Sequence, residues 1–238
     1  WGAWCQGKRT ARPNGWLALN PLLNSYLLAV QTAASAQELV DTTRNLVEYC
    51  PNLEPDSNDQ KAAISCLIAL LGINNPGAAV AAVDGLIACG SAAVDSLLNN
   101  LDEHNYGARA WAVRALAHIG DPRGLPVLKR AIEQDIGPSV RRAAAMGLGY
   151  LKLNELPESQ RIETMQICLA GLSLGCADGE WVVRYAAVVG LENFLVNASA
   201  AYAEASRKLL LCRCQMQEEV IPVVRLRAAQ ALEKWPAP

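Results

Sequence analysis

GDPRGLPVLKRAIEQDIGPSVRRAAAMGLGYL, residues 120–151, contains two helical patterns separated by turn-forming residues. Gly, Asp and Pro open the stretch, an amphipathic pattern follows over residues 124–135, and Gly137 and Pro138 precede a second pattern rich in alanine. Proline is tolerated at the first position of a helix because the N–H of that position has no intrahelical partner. The stretch therefore predicts a helical hairpin whose second helix begins at Pro138.

The second half of this hairpin recurs along the chain. Five segments share a Pro, Tyr or Trp at the first position, small residues in the middle and a leucine ten residues after the first position. Four of them carry an arginine three residues after the first position, where the earliest segment has Ala79. The arginine and the leucine are two helical turns apart, so we expect them on one face of a helix. The segments are residues 76–90, 106–120, 138–152, 181–195 and 222–236, and the arginines are Arg109, Arg141, Arg184 and Arg225.

Other amphipathic patterns precede the recurring segments, as over residues 91–102 and 161–175. Two helices per unit, repeated every 30 to 43 residues, are typical of an α-solenoid, and the opening stretch matches a HEAT repeat. We therefore predict an all-α, crescent-shaped α-solenoid of about five to six HEAT-like helical hairpins.

The predicted solenoid is a single domain over residues 21–238. A helical pair over residues 21–50 caps it, and the repeats occupy residues 60–236. Residues 1–20 carry three Trp and a Pro outside the repeat pattern, so we predict an irregular N-terminal arm there.

The composition limits the classes of partner. The 238 residues carry a formal net charge of -2, so no basic surplus favours nucleic acid. Apolar runs such as residues 63–72 are too short to span a bilayer. We expect a cytoplasmic protein that does not insert into a membrane.

The cysteines and histidines favour neither disulfides nor a metal site. Four cysteines in apolar helical patterns, Cys66, Cys89, Cys168 and Cys212, are expected to be buried free thiols of a reducing compartment. The sequence CRC at residues 212–214 lacks the paired spacing of zinc ligands, and the chain has two histidines. No metal is therefore expected. His118, late in an apolar pattern, is expected to be a packed or edge histidine.

DEHNYGARAW, residues 102–111, is the most polar and aromatic junction before a recurring segment. One interpretation is a turn capped by Asn105, with Tyr106 and Trp111 as core aromatics. The other is a binding patch for a flat conjugated ligand with acidic groups, on the concave surface. Aromatic rings would stack on such a ligand, Arg109 would pair with a carboxylate, and an acid would accept pyrrole N–H bonds.

The recurring arginines also allow two interpretations. An arginine at this position can bond acids or carbonyls of the neighbouring repeat, which we favour for Arg141 and Arg225. Arg109 and Arg184 each have aromatic neighbours in the sequence, and a guanidinium on an aromatic face is itself a common packing motif. A role in ligand binding is therefore a candidate for these two.

Several of these segments resemble a known family. NNPGAAVAAVDGLIACG (74–90), NYGARAWAVRALAHIGDPRGL (105–125), SVRRAAAMGLGYL (139–151) and EWVVRYAAVVGLE (180–192) resemble the F-type subunit of the heterodimeric E/F phycobilin lyases. The resemblance covers about residues 60–235. The most specific parts are NPGAAVAAVDGL and NYGARAW, because any HEAT protein can contain VRRAA.

The resemblance implies a function and partners. Such a chain works with a longer E-type subunit. Together they attach an open-chain tetrapyrrole through a thioether to a cysteine of a phycobiliprotein alpha subunit. The expected pair is phycocyanobilin with the alpha subunit of phycocyanin. Phycoerythrobilin with a phycoerythrin alpha subunit is the competing pair. The nucleophile belongs to the acceptor, and the bilin is a substrate, so no cofactor is implied.

The resemblance also gives roles to candidate residues. A nearby acid would protonate the bilin as the thiol adds, and other side chains would bind the bilin. The candidate acids are Asp84, Asp102, Glu103 and His104, and the candidate bilin ligands are Asn105, Tyr106, Arg109, Trp111, Arg141, Trp181, Arg184 and Tyr185.

Of three related functions, isomerisation is disfavoured and the other two stay open. Relatives that also isomerise the bilin carry an adjacent His-Cys pair, and WCQG at residues 4–7 has Trp4 in place of the histidine, so we predict attachment without isomerisation. A factor that removes bilins during phycobilisome degradation would share the same repeats. A non-catalytic adaptor or chaperone of phycobiliproteins would do so too.

Overall fold

The computed structural model describes residues 19–101, 104–196 and 198–235. Within these ranges the chain forms twelve α-helices and four short 3-10 helices, with no β-strand. It divides into two compact units, one ending at Asn100 and one beginning at Leu101. Most of the predicted N-terminal arm, including WCQG, lies outside the described residues. The single domain proposed from the sequence stays a prediction.

The first unit contains five α-helices in two layers. They are α1 (Pro21–Thr32), α2 (Ala36–Tyr49), α3 (Asn58–Leu70), α4 (Pro76–Cys89) and α5 (Val94–Asn99), with short 3-10 helices at Cys50–Asn52 and Gly90–Ala93. α2 packs against α4 in one layer, and α3 packs against both α1 and α5 in the other. The helical pair predicted over residues 21–50 is present as α1 and α2.

The second unit contains seven α-helices, again in two layers. They are α6 (Tyr106–Ile119), α7 (Leu125–Gln134), α8 (Pro138–Tyr150), α9 (Glu158–Cys176), α10 (Trp181–Leu195), α11 (Ala200–Cys214) and α12 (Pro222–Lys234), with short 3-10 helices at Pro122–Gly124 and Leu153–Glu155. α6, α8, α10 and α12 pack side by side in this order, and we call them the repeat layer. α7, α9 and α11 form the second layer.

The helix starts follow the sequence repeat. The first position of every recurring segment is the first residue of an α-helix, and the leucine ten residues later is buried in all but the last segment. The prediction of the recurring helices is therefore confirmed. Their first residues are Pro76, Tyr106, Pro138, Trp181 and Pro222.

Small residues allow the helices of the repeat layer to approach closely. A Cβ added to Gly149 of α8 would overlap the backbone of Gly190 in α10, and a Cβ added to Gly190 would overlap the backbone of Ala145. Because the overlapping atoms belong to backbone, neither helix can yield without moving as a whole. The glycines therefore set the distance between α8 and α10.

One stretch, Pro76–Asn99, is long and apolar enough to cross a membrane by length and composition alone. Half of its most apolar window is buried inside the protein. A 3-10 segment with Gly90 at a φ of 58° separates α4 from α5 within it, so the stretch is not one continuous α-helix. It packs as two core helices of the first unit.

The seven described cysteines are free thiols, as expected. Cys168 is buried. The expectation of full burial is wrong for Cys66, Cys89 and Cys212, which lie half-buried. Cys89 is the last residue of α4, where the helix ends in a 3-10 segment.

Candidate functional site

Three arginines of the repeat layer hold the next repeat by the same contact. We call this set the arginine ladder: Arg109 with Asp135, Arg141 with Asp178, and Arg184 with Glu219. In each pair the arginine Nε lies 2.6 Å from a carboxylate oxygen. In the second and third pairs, Nη2 donates a further hydrogen bond of 3.0 Å and 2.9 Å. Bidentate pairs of this kind are strong and specific in direction.

The acid of each pair also fixes the turn before the next helix. Its carboxylate accepts a hydrogen bond from the backbone N–H two residues ahead, at 2.8 Å, 2.9 Å and 3.0 Å along the ladder. That N–H belongs to the residue directly before a helix of the repeat layer. One carboxylate therefore orients a turn and fastens the preceding helix to it. The donors are Gly137, Glu180 and Ile221.

The remaining arginine nitrogen, Nη1, donates to backbone carbonyls. Arg141 reaches Asp135 O at 2.9 Å, and Arg225 reaches Glu219 O at 2.7 Å, each in the turn before its own helix. Arg141 also bonds Asp178 of the next repeat, as its structural interpretation expects; for Arg225 that interpretation stays a prediction. Arg184 makes the matching bond to Asp178 O at 2.9 Å. Arg109 and Arg184, which have aromatic neighbours in the sequence, thus make the same Nε contact to an acid as Arg141.

The ladder shifts the ionisation of its acids. The hydrogen bond from Arg184 is the main cause that holds the pKa of Glu219 below its ordinary value, against the opposing effect of burial. Burial opposes the ionisation of Asp178 most strongly, yet hydrogen bonds from Arg141 and from the Glu180 N–H, with the nearby positive charges, outweigh it and lower its pKa. Both carboxylates are therefore charged near neutral pH.

Tyr106 links the first pair of the ladder to the surface. Its ring lies against Gly137, where an added methyl group would overlap it, and its hydroxyl shares a hydrogen bond with Ser139. The Arg109 guanidinium carbon lies 5.7 Å from the ring centroid. Because 46% of Tyr106 is exposed, the expectation of a core aromatic is wrong for this residue. The expected cap is confirmed: Asn105 Oδ1 accepts from Ala108 N at 3.1 Å.

The other predicted aromatic ligands lie in different settings. Trp111 is half-buried, and the Arg114 guanidinium carbon lies 5.5 Å from its ring. Trp181, the first residue of α10, is 44% exposed. Tyr185 is partly buried against the hydrophobic core of the second unit. A role of each in binding a ligand stays a prediction.

The candidate acids are Asp84 and three consecutive residues before α6. Asp84 is exposed on α4 of the first unit, and His104 is exposed two residues before α6. Asp102 and Glu103 lie outside the described residues. Their role as proton donors stays a prediction.

A cavity of about 310 Å³ lies beside the first pair of the ladder. Four apolar residues and four polar or charged residues line it, contributed by α6, α7 and the residues that flank them. The apolar residues are Leu101, Val113, Val127 and Ala131, and the others are Arg109, Arg130, Gln134 and Asp135. The lining thus combines apolar side chains with the Arg109–Asp135 ion pair.

Of the polar residues that line the cavity, only Arg109 was predicted from the sequence, and the acids of the ladder were not predicted. A signal for the acids is present, because Asp135, Asp178 and Glu219 each stand three residues before the first position of a recurring segment. Arg130 and Gln134 have no such signal, since they lie among ordinary charged positions of an amphipathic helix. Among the described residues, no group of His, Cys, Asp and Glu side chains could hold a metal ion.

The comparisons with known proteins first define the class. A family model described as HEAT repeats matches residues 54–149. The structure of the complex of CpcE and CpcF of phycocyanin lyase from Nostoc sp. PCC7120 matches over 72% of this chain and 98% of the matched chain, with a TM-score of 0.67 and 41% identity. The protein is an all-α solenoid of HEAT repeats, as its sequence predicted.

Relatives then define the family. The phycobilisome maturation protein of Synechococcus elongatus is 46% identical over 82% of this chain and 94% of its own length. The phycocyanin alpha phycocyanobilin lyase CpcF of Synechocystis sp. is 43% identical over 85% of this chain and 90% of its own length. The chain belongs to the family of CpcF, the F-type subunits of phycobilin lyases, and the resemblance seen in its sequence is confirmed.

Proposed function

We propose that the chain is a subunit of a bilin lyase that attaches phycocyanobilin, through a thioether, to a cysteine of the phycocyanin alpha subunit. The observation that carries this proposal is the 43% identity to phycocyanin alpha phycocyanobilin lyase CpcF over 85% of this chain. The match extends over 85% of this chain and 90% of the relative, so it is not confined to a single repeat.

The proposed partner is an E-type subunit, because the matched solved structure is a complex of CpcE with CpcF. The expected location of the pair is the cytoplasm, where its thiols stay reduced. The bilin is the substrate, and we propose that no further cofactor takes part.

The proposed reaction joins the thiol of the acceptor to the ethylidene group of ring A of the bilin. A carbon–sulfur bond forms, the thiol loses its proton, and the bilin gains one proton. Asp84, Asp102, Glu103 and His104 are the candidates to deliver it. The task of this chain is to hold the bilin in one conformation while the thiol approaches, because a fixed geometry removes much of the entropic barrier.

The half-exposed ring of Tyr106 is the best-placed group for stacking on a pyrrole ring. It is oriented from two sides, by Gly137 and Ser139 of the next repeat. Arg109 lies over the same ring and lines the cavity. The remaining candidates, Asn105, Trp111, Arg141, Trp181, Arg184 and Tyr185, are proposed to bind or orient the bilin more weakly.

Co-expression tests the function directly. This chain, an E-type subunit, the enzymes that make phycocyanobilin and an apo-phycocyanin alpha subunit are produced together, and covalent fluorescence of the denatured alpha subunit is measured. We expect a fluorescent band that is lost when this chain is omitted, or when the acceptor cysteine is replaced by serine. A stable complex with the alpha subunit but no covalent colour would instead indicate a chaperone or adaptor. Colour only with phycoerythrobilin and a phycoerythrin alpha subunit would change the substrate.

A further inference from the structure

Two helices of the first unit, α2 and α4, lie side by side from start to end. Where they start, Asn75 Nδ2 donates a hydrogen bond of 2.9 Å to Ala36 O, and these residues are 39 positions apart in the chain. Cys50 directly follows α2, Cys89 is the last residue of α4, and the same interval separates the two cysteines. Because two parallel helices rise equally per residue, the equal intervals place Cys50 beside Cys89.

Glycines of α4 bring the two helices close together. A Cβ added to Gly77 would lie 2.8 Å from Val40 Cγ2, and one added to Gly85 would lie 2.6 Å from Val47 Cγ2. Both distances are shorter than van der Waals contact, so the backbone of α4 lies directly against side chains of α2. The contacts advance along both helices in the same direction, which shows that the helices are parallel. The second contact is about one turn before the two cysteines.

At this end of the helices the thiols of Cys50 and Cys89 form a hydrogen bond with each other. Both thiols are free in the structure. Cys50 is 6% exposed, and its Sγ also lies 3.3 Å from Leu46 O, whereas Cys89 is half-buried. A disulfide requires that the two side chains face each other across a short distance. Two thiols in contact at the ends of adjacent helices have this arrangement.

The contact makes the two thiols unequal in acidity. The hydrogen bond from Cys50 lowers the pKa of the Cys89 thiol and outweighs the opposing effect of burial. The same contact, together with burial, raises the pKa of Cys50. Because the thiolate is the reactive form of cysteine, and because Cys89 is the more exposed of the two, Cys89 is the thiol that a small oxidant meets first.

We propose that Cys50 and Cys89 are a redox site, at which hydrogen peroxide forms a reversible disulfide between the ends of α2 and α4. The Cys89 thiolate attacks one peroxide oxygen, the O–O bond breaks, and a sulfenic acid forms as hydroxide leaves. The Cys50 sulfur then loses its proton and attacks the Cys89 sulfur, which releases the second hydroxide. The two sulfurs together lose two electrons, the peroxide gains them, and the two thiol protons end in two molecules of water.

This site does not depend on the proposed function, and no step of bilin attachment uses it. Disulfides of a reducing compartment are ordinarily transient, and a small dithiol reverses such a bond by exchange. While it lasts, the bond closes a loop between residues 50 and 89 and so constrains the unfolded chain. Peroxide would therefore stabilise the first unit for as long as the disulfide persists.

The test is a map of the disulfides that peroxide forms in the full chain. The chain is reduced, freed of reductant and treated with increasing hydrogen peroxide, and the remaining thiols are blocked with iodoacetamide. Cleavage before each aspartate, followed by mass spectrometry without reduction, identifies the linked peptides. This cleavage separates Cys50, Cys66 and Cys89 into the peptides 41–55, 59–83 and 84–94.

We expect peptides 41–55 and 84–94 to be the first linked pair, two hydrogens lighter than the sum of the two. The midpoint of thermal unfolding should rise by about 5 to 10 °C on linkage and return with a dithiol. Cys66→Ser, which changes another half-buried thiol of the same unit, is the matched control and should keep the link. The inference is overturned if peroxide leaves Cys50 and Cys89 unlinked, or if it joins either of them to a different cysteine.

The order of the two steps has a separate readout. In Cys50→Ser the sulfenic acid at Cys89 has no partner, so dimedone, which labels sulfenic acids, should mark peptide 84–94. In Cys89→Ser, peptide 41–55 should stay unmarked. Because Cys89 is half-buried, this second variant is expected to fold even if the change at the buried Cys50 is not tolerated. A mark on peptide 41–55 would overturn the assignment of Cys89 as the thiol that reacts first.

Discussion

The first and last pairs of the arginine ladder use one contact in two different settings. In the first pair, the Arg109 and Asp135 side chains are 19% and 8% exposed and line a cavity beside the half-exposed ring of Tyr106. In the last pair, the Arg184 and Glu219 side chains are 13% and 0% exposed, and Arg213 approaches Glu219 within 3.8 Å.

The lengths of the covering helices do not account for the difference. α7, which lies beside the first pair, has 10 residues, whereas α9 and α11 have 19 and 15. The Arg141 and Asp178 side chains, next to the long helix α9, are 18% and 10% exposed, almost as in the first pair. The last pair differs because Glu219 is fully buried and is approached by a second arginine, Arg213.

The largest effect is expected from removing the acid of the last pair. Glu219→Ala leaves the mostly buried Arg184 without its partner, and breaking a buried ion pair by removing one member costs about 3 kcal/mol or more. Asp135→Ala should cost less, because Arg109 is more exposed and can be hydrated. Urea denaturation of the two variants measures the difference in the free energy of unfolding. Equal losses would show that exposure does not distinguish the two pairs.

The next effect compares two aromatic residues at the same position of the repeat. Tyr106 and Trp181 each begin a helix of the repeat layer and are 46% and 44% exposed. We expect Tyr106→Ala to lower bilin attachment about tenfold, the size of a lost stacking contact. We expect Trp181→Ala to lower it less, because the cavity lies next to Arg109, which contacts the Tyr106 ring. Attachment is measured as covalent fluorescence per folded molecule. A larger loss at Trp181 would move the site to the last pair.

Gly137→Ala serves as a control for the position of the Tyr106 ring. The added methyl group would overlap the ring, and the half-exposed side chain can move aside, so stability should change little. Attachment should fall as it does in Tyr106→Ala, but less. Unchanged attachment would indicate that the orientation of the ring does not matter.

The smallest effect is the response of the ladder to acid. The pKa values of Asp178 and Glu219 are lowered in the folded protein from ordinary values of 3.8 and 4.5. Such groups contribute fully to stability above the ordinary value, and the contribution is lost as the pH falls through the folded pKa. We therefore expect their contribution to be constant from pH 7 to about pH 5 and to decline below about pH 4.5. Urea midpoints between pH 6 and pH 3 measure this decline, which Glu219→Gln should weaken. A contribution of these ion pairs to stability that grows as the pH falls would contradict the lowered pKa values of Asp178 and Glu219.

The sequence was most informative where the repeat is strict. The helix starts at Pro138, Trp181 and Pro222 were predictable because position, spacing and small residues agree in every segment. The acids of the ladder were also present in the pattern, three residues before each start, but they became meaningful only with the arginines that reach them from the preceding repeat. Asp135 and Arg109 are 26 residues apart in the chain, yet Arg109 Nε lies 2.6 Å from Asp135 Oδ2.

The site was less predictable than the fold. Tyr106 was placed in the core by one interpretation of its segment, and it is half-exposed because it packs across the start of the next repeat, on Gly137. Arg130 gave no signal, because an arginine on an amphipathic helix is ordinarily a solvated side chain. Its place at the cavity depends on where α7 lies relative to α6.

By itself the sequence determined the class of fold, the helix boundaries of the repeat and the family of the chain, because these depend on local periodicity and on residues close together in the chain. Only the tertiary structure decided which arginine pairs with which acid, which aromatic ring reaches the surface and where a cavity remains. Those outcomes depend on the lengths and packing of helices from different repeats, and burial is a property of neighbours that the chain brings together only on folding.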